Sequence, residues 1–584
     1  MRHTFQKTAA LLLCLTLLLS LTACGRTEEA EDEGIEIGDT ISGQVLTTGS
    51  FADDIFSLAV DFEDTLNPLR TRSSASLTIS GLVFDNFFEV DARYNLSSRI
   101  CTEYSVNDEG NFWTFVVDTS IPMHDGSTLT AYDVGYSLNR ALMYSDHFAS
   151  RLGNVNGVSA YSETELCIST KYADTQLPYR LTIPIIKYGS ILSNAPAGSG
   201  PYQFAYSGAV AETPEEDAGE TESEGEEENA APTPSPSPTP EPELLPDMLV
   251  AFPAYTGAES VPLDTIYLRQ YQDPATTIEE YESGLVDLVV NDPTGIYNMG
   301  YGGKNEKRVF PTTNMHYIGF NGYSRFFCYA QYRSSMTYII DRDTIVNSIM
   351  DGAADAAVFP INPASPLYDT ELASAVDFGH ERCLQELDWA GCSNLDDDED
   401  LEFSLSGSKV EISIDFIVCA DSATKVTAAR QIAQDMRAIG LPVTLRELSW
   451  KEFRATLLAP LDEENKPTFD MYYDEVALTA DWDLKDFFAE VDEDTVAYYG
   501  TLNYGRWPES SVTESISAYL AADNLTRAEA CGAMCQKILE QGPFVPICFE
   551  RRVVISHLGV IRGMDPNQYN IFNGIGNWSI KTGT

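Results

Sequence analysis

Positive charge is scarce in this chain. Its 584 residues hold 36 Lys and Arg against 89 Asp and Glu, a formal net charge of −53 at pH 7. Such a surface repels nucleic acid, and no basic stripe exists to displace counterions from phosphates. It also disfavours direct adsorption to anionic lipid. Beyond the N-terminus no apolar run is long enough to span a bilayer. Histidine is rare, six in all, and none stands in His-Glu-x-x-His; neither a Gly-x-Ser-x-Gly elbow nor a Gly-x-x-x-x-Gly-Lys phosphate loop occurs. These absences argue against an enzyme, although a hydrolase built on two distant carboxylates leaves no sequence signature and stays as an alternative. Cysteine is sparse too. The eleven are scattered, and an odd number remains after Cys14 and Cys24 are set aside, which does not suit a disulfide framework. Cys531 and Cys535 lie one helical turn apart with no further pair to complete a zinc site. The cysteines read as small buried hydrophobes. No cofactor and no metal is expected.

What is present starts at the N-terminus. Arg2, His3 and Lys7 precede an apolar run over 9–21, and Leu-Thr-Ala-Cys fills 21–24. The shape is that of a secretory signal. The last four residues resemble the lipobox of bacterial lipoproteins. That resemblance implies removal of 1–23 and a diacylglyceryl group on Cys24, whose two acyl chains hold the chain at the outer face of the bacterial cell membrane. An ordinary secretory signal with a chance cysteine is the alternative. Residues 24–49 then form an acidic tether. Residues 212–243 carry twelve carboxylates, no Lys or Arg, no aromatic, and a Pro-Thr-Pro-Ser-Pro-Ser-Pro-Thr-Pro run; this composition predicts a disordered insertion. A third acidic cluster spans 396–400. Calcium binding and solvated charge are the two readings of these runs, and neither turn glycine nor loop spacing supports calcium.

Local patterns predict α/β architecture, since 43% of the chain is hydrophobic and its periodicity alternates between two and 3.6. Residues 112–117 read as a strand, 124–127 as a turn, and Thr130 with Asp133 as a capping box for a helix over 131–143. His124, in that turn, is expected to bond locally. Val410, Ile412, Ile414 and Phe416 alternate as one strand. Val426, Ala429, Ile432, Ala433, Met436 and Ile439 recur at helical spacing, Gly440 caps the helix, and 442–445 restarts as a strand. This is a βαβ unit. A capped helix is read over 341–350, helices over 515–520 and 527–540, and two closing strands over 543–549 and 553–556.

An ordered series of short blocks resembles the family 5 extracellular solute-binding proteins, which include oligopeptide- and dipeptide-binding lipoproteins of ABC importers. The blocks are Asp-Thr-Leu-Asn-Pro at 64–68, Leu-Val-Phe-Asp-Asn-Phe-Phe at 82–88, Asn-Asp-Glu-Gly-Asn-Phe-Trp-Thr-Phe at 107–115, His-Asp-Gly-Ser-Thr-Leu-Thr-Ala-Tyr-Asp-Val at 124–134, Gly-Ser-Gly-Pro-Tyr at 198–202 and Phe-Asp-Met at 469–471. The resemblance covers about 50–580. It implies a type II periplasmic-binding-protein fold, with two lobes, a hinge and three domains. Domain I is discontinuous (50–88, 195–314 with the 212–243 insertion, and 550–584), domain II is 89–194 and domain III is 315–549. It further implies capture of a peptide or similar small polar solute between closing lobes, delivery to ABC permease subunits, no catalysis and a monomer. A peptide-sensing receptor of the same fold is the second reading.

The same resemblance points to site residues. In peptide-binding relatives an acid in a Trp-x-Ala-Asp segment pairs with the ligand's ammonium group. Leu478, Thr479, Ala480 and Asp481 align with it, although Leu478 replaces the tryptophan. Asp481 is therefore the leading ligand-contact candidate, with a cap or turn as the structural alternative. Alanine there is expected to weaken ligand binding at least tenfold without unfolding the chain. Ser74 and Ser76 align with a loop that touches ligand backbone in some relatives. Trp482, Tyr472 and Tyr473 line a cleft wall or belong to the core.

Overall fold

The computed structural model describes residues 55–207, 245–258, 260–291, 304–396, 398–462, 464, 466–489, 502–508 and 510–581. Cys24, the signal, the tether and the 212–243 insertion lie outside the described residues. Among the described residues no helix is long and apolar enough to cross a membrane.

Two lobes are distinguished by their cores. In the first, a four-stranded sheet runs in the order Ser57–Val60, Thr265–Gln270, Met248–Ala251, Tyr202–Ala205. An antiparallel sheet of Cys101–Val106, Phe112–Val117, Glu165–Thr170 and Val155–Ala160 stands beside it. The helix Ala131–Tyr144 packs on this second sheet, its start closed by the expected Thr130–Asp133 box. One continuous apolar cluster, from Phe56 through Leu138 and Ile168 to Trp578, joins both sheets.

The second lobe is built on a seven-stranded sheet. Its main path runs Leu288–Asn291, Phe544–His557, Asn305–Phe320, Met471–Ala477, Ile414–Cys419, Val443–Leu448, and Ala354–Ala356 pairs with Phe544–His557. Ile414–Cys419 and Val443–Leu448 are parallel and the helix Ala423–Ala438 crosses between them, as the βαβ pattern predicts. Gly440 supplies the left-handed turn (φ +88°) that ends the helix region.

Two readings are corrected. The alternation from Val410 is not one strand. Ser408–Glu411 belongs to a small antiparallel sheet, and the main-sheet strand starts only at Ile414. Two strands of equal period abut there, and periodicity alone cannot part them. Conversely, the two closing strands are one, Phe544–His557. The charges at Glu550, Arg551 and Arg552 suggest a break, but the backbone stays in the sheet: Arg551 and Arg552 pair with Pro311 and Phe310, and Glu550 pairs with Ala354.

That long strand and its antiparallel partner Asn305–Phe320 carry the chain from lobe to lobe. Phe310 and Val554 sit in the first core, while Ile318, Phe320, Val545 and Ile547 sit in the second. The register slips between Pro311 and Met315, where the passage is made. The backbone groups freed by this bulge are taken up locally. Thr312 O accepts from Asn362 Nδ2 at 2.8 Å and from Tyr94 Oη at 3.0 Å, and Thr313 N donates to Gln568 Oε1 at 2.7 Å.

The Gly-Ser-Gly-Pro-Tyr segment at 198–202 crosses the backbone of Leu82–Phe84. A Cβ on Gly200 would lie 2.6 Å from Val83 C and 2.7 Å from Leu82 O. His124 stitches the same crossing, with Nε2 donating to Gly200 O (3.1 Å) and Nδ1 accepting from Gly198 N (3.3 Å). Burial holds this ring neutral, its pKa lowered to about 4. Gly200→Ala should therefore lower stability by about 1–3 kcal/mol through overpacking against backbone that cannot rotate away. Urea denaturation measures this, and an unchanged midpoint would refute it.

Candidate ligand-binding cleft

Two adjoining cavities lie between the lobes. The larger, 860 Å³, is lined from the first lobe by Asp61, Arg72, Ser73 and Ser74, and from the second by Val290, Cys419, Asp421, Ser422, Lys425, Trp450 and Glu475. The crossing strands contribute Asn314, Glu550 and Arg552. The smaller, 470 Å³, is walled by His147, Arg151, Thr182, Thr312, Thr313 and residues 477–480. Ser74, Thr78, Val290, Asn314 and Arg552 line both, so the two are successive reaches of one cleft.

The first wall is set by Asp64. Its Oδ2 accepts from Thr71 Oγ1 (2.7 Å), Arg72 N (2.6 Å) and Ser73 N (3.1 Å). Burial pushes this carboxyl up, but these donors outweigh it and hold the pKa below its usual value. The loop so fixed delivers Ser73 as the cap of the short helix Ser74–Thr78. Ser74 faces the cleft at the junction of both cavities. Ser76 points the other way. It is buried, and its Oγ bonds Asp61 O and N at 3.3 and 3.1 Å. It shapes the wall and lines neither cavity.

The floor is a charged rung across three strands. His316 stands opposite Glu475 on one side and Cys548 on the other. Its Nε2 lies 2.8 Å from Glu550 Oε1 and 3.3 Å from Glu475 Oε2, and its Nδ1 lies 2.9 Å from Tyr473 Oη. Burial opposes protonation, yet the two carboxylates prevail and raise the imidazole to about 9, so it is cationic at neutral pH. Lys425 adds a second cation, 3.0 Å from Glu475 Oε1. A carboxyl–cation mosaic of this kind suits a solute bearing both signs of charge.

Asp481 and Trp482 occupy a different place. Asp481 is fully buried and lines neither cavity. Its Oδ2 accepts from Arg180 Nε, and its Oδ1 accepts from Thr479 Oγ1. Arg180 also reaches Asp483 Oδ2 at 2.5 Å and stands 3.6 Å from Asp174. The carboxylate expected to meet a ligand's ammonium is thus spent on a guanidinium from the opposite lobe. Burial raises both Asp481 and Asp174, because three acids around one guanidinium leave excess negative charge in a dry site. Around them Tyr172 Oη donates to Asp483 at 2.6 Å, and Tyr519 Oη donates to Asp481 O at 2.8 Å and lies 3.2 Å from Gln176 Oε1. Trp482 is 1% exposed in a left-handed conformation (φ +56°), and its ring packs on Tyr94 and Phe549. Tyr472 and Tyr473 are core as well.

Sequence reasoning missed Lys425, Glu475, Glu550 and Arg552. The signal was available: Asp474 and Glu475 interrupt the apolar strand Met471–Ala477, and Glu550 interrupts Phe544–His557. Charges inside a central strand need partners or a cavity.

The arrangement has known counterparts. The family profile described as Bacterial extracellular solute-binding proteins, family 5 Middle, matches residues 248–494. The oligopeptide-binding protein AppA of Bacillus subtilis (strain 168) is 22% identical over 507 residues, 82% of each chain. Over 248–494 the chain is thus similar to the family 5 solute-binding proteins, and the AppA match extends the likeness over most of its length. It also shares the two-lobe α/β fold of solved structures. HbpA2 from Haemophilus parasuis superposes with a TM-score of 0.66 at 15% identity, covering 90% of this chain and 99% of that one. AppA from Bacillus subtilis in complex with a nonapeptide superposes with a TM-score of 0.55 at 18% identity, with the same coverage.

Asp481→Ala strips Arg180 of one of its three acids. Breaking a buried pair costs roughly 3–5 kcal/mol, and the two remaining carboxylates place this loss at the lower end. Thermal or urea unfolding of the variant should show that loss; wild-type stability would mean that the cluster does not bind the lobes together.

Proposed function

We propose that this chain is a lipid-anchored, extracytoplasmic binding protein that captures a peptide, or a similar small polar solute, between its lobes and delivers it to an ABC importer. The observation that carries the reading is the cleft itself. It lies between two lobes joined by crossing strands, within the size range of small-molecule sites, and its lining alternates Asp61, Asp421, Glu475 and Glu550 with Arg72, Lys425 and Arg552. A peptide offers an ammonium, a carboxylate and backbone groups to match. AppA of B. subtilis is an oligopeptide-binding protein, and its structure holds a nonapeptide. A ligand that touches both lobes favours the closed arrangement by its differential affinity, and the closed form is what a permease recognises.

In this reading Ser74 contacts ligand, and Ser76, Asp481 and Trp482 hold the walls. The three-domain division, with domain I assembled from 50–88, 195–314 and 550–584, accommodates the same cleft. Attachment rests on Cys24 and its lipobox-like context. The chain acts as a monomer and without catalysis.

Native mass spectrometry of the purified chain, followed by denaturation and identification of released compounds, tests the ligand class. Co-purifying peptides of defined length are expected. Release of a sugar or another non-peptide solute, or failure of any peptide to bind the refolded chain in calorimetry, would overturn the peptide assignment.

A further inference from the structure

We infer that His316, Glu475 and Glu550 form a binding site for one divalent transition-metal ion of the zinc or nickel class, set in the floor of the larger cavity. Three adjacent strands supply one donor each. His316 of Asn305–Phe320 pairs directly with Glu475 of Met471–Ala477 and with Cys548 of Phe544–His557. Glu550 lies two residues beyond Cys548 and therefore shares its face. The donor atoms of the three residues all lie within 4.8 Å of one another.

What distinguishes this group from a chance cluster is the fate of each remaining polar atom. The outer ring nitrogen of His316 meets Tyr473 Oη at 2.9 Å. The outer oxygen of Glu475 is held by Lys425 Nζ at 3.0 Å. The outer oxygen of Glu550 accepts from Asn314 Nδ2. Each side chain is thus fixed from behind, and Nε2, Oε2 and Oε1 converge in front; an entering ion displaces the Nε2 proton, which is released to solvent. Outer partners of this kind orient metal ligands and set the imidazole tautomer.

The spacing fits. Donors 2.0–2.2 Å from a tetrahedral ion stand about 3.3–3.6 Å apart. The present separations from Nε2, 2.8 and 3.3 Å, need to open by about 0.5–0.8 Å and by about 0.3 Å or less. One imidazole nitrogen with two carboxylate oxygens suits zinc, nickel or cobalt better than magnesium or calcium, which take oxygen alone. Glu475 and Glu550 line the cavity, so the fourth position faces the space a solute would occupy. The ion would then present a coordination site to a carboxylate, amine or water in the cleft. This site does not depend on whether the solute is a peptide.

The test uses the full chain, stripped with EDTA and dialysed, with Zn²⁺ or Co²⁺ alone as probe. Calorimetry should show one ion per chain, and Co²⁺ should give visible d–d bands of a low-coordinate site. Glu475→Gln, at a half-exposed position, should fold normally by circular dichroism and weaken the ion at least tenfold. His316→Gln should abolish the Co²⁺ bands. No saturable uptake by the wild type would overturn the inference. So would affinity within twofold of wild type in Glu475→Gln together with an unchanged Co²⁺ spectrum.

Discussion

The pairing of Asn305–Phe320 with Phe544–His557 is the constraint on which the rest of the molecule depends. These two strands hold one end in each core, and their bulge at 311–315 is the place where the sheet passes from one lobe to the other. A bulge raises local twist and re-aims side chains. Here it turns Asn314, Glu550 and Arg552 into the cleft, so the hinge region and the floor of the site are built from the same residues. The strands that join the lobes and the floor of the cleft are therefore one mechanical unit.

A second joint balances the first. Arg180 ties the lobes through Asp481 and Asp483, with Tyr172, Gln176 and Tyr519 sealing its edges. Burying so many charges is expensive, and the arrangement survives only because nearly every polar atom in it has a partner. Such a joint favours one relative placement of the lobes over nearby alternatives.

The lobes' composition was legible in the sequence wherever a local rule applied. The Thr130–Asp133 box, the βαβ unit around Ala423–Ala438 and the Gly440 turn follow from spacing and residue type alone. Reading failed where tertiary context assigned the role. Asp481 was singled out from its neighbours in sequence, but its partner Arg180 is 301 residues away. Glu550 broke a strand on paper because its partners, His316 and Asn314, are equally remote. A charge within an apolar strand signals a site only once the strand's neighbours are known. Among the described residues the nine cysteines followed their composition: all are free, and all but Cys328 are buried.

The long central pair also shapes how the chain comes to be folded. His316 and Glu550 are 234 residues apart, so one edge of a strand made midway through synthesis lacks its partner until almost the whole chain exists. Closing so large a loop costs little in final stability but makes the pairing slow. Until then the apolar edge of Asn305–Phe320 stays open to other strands, a standing hazard of aggregation. The lobes therefore cannot lock together until the last strand has been made.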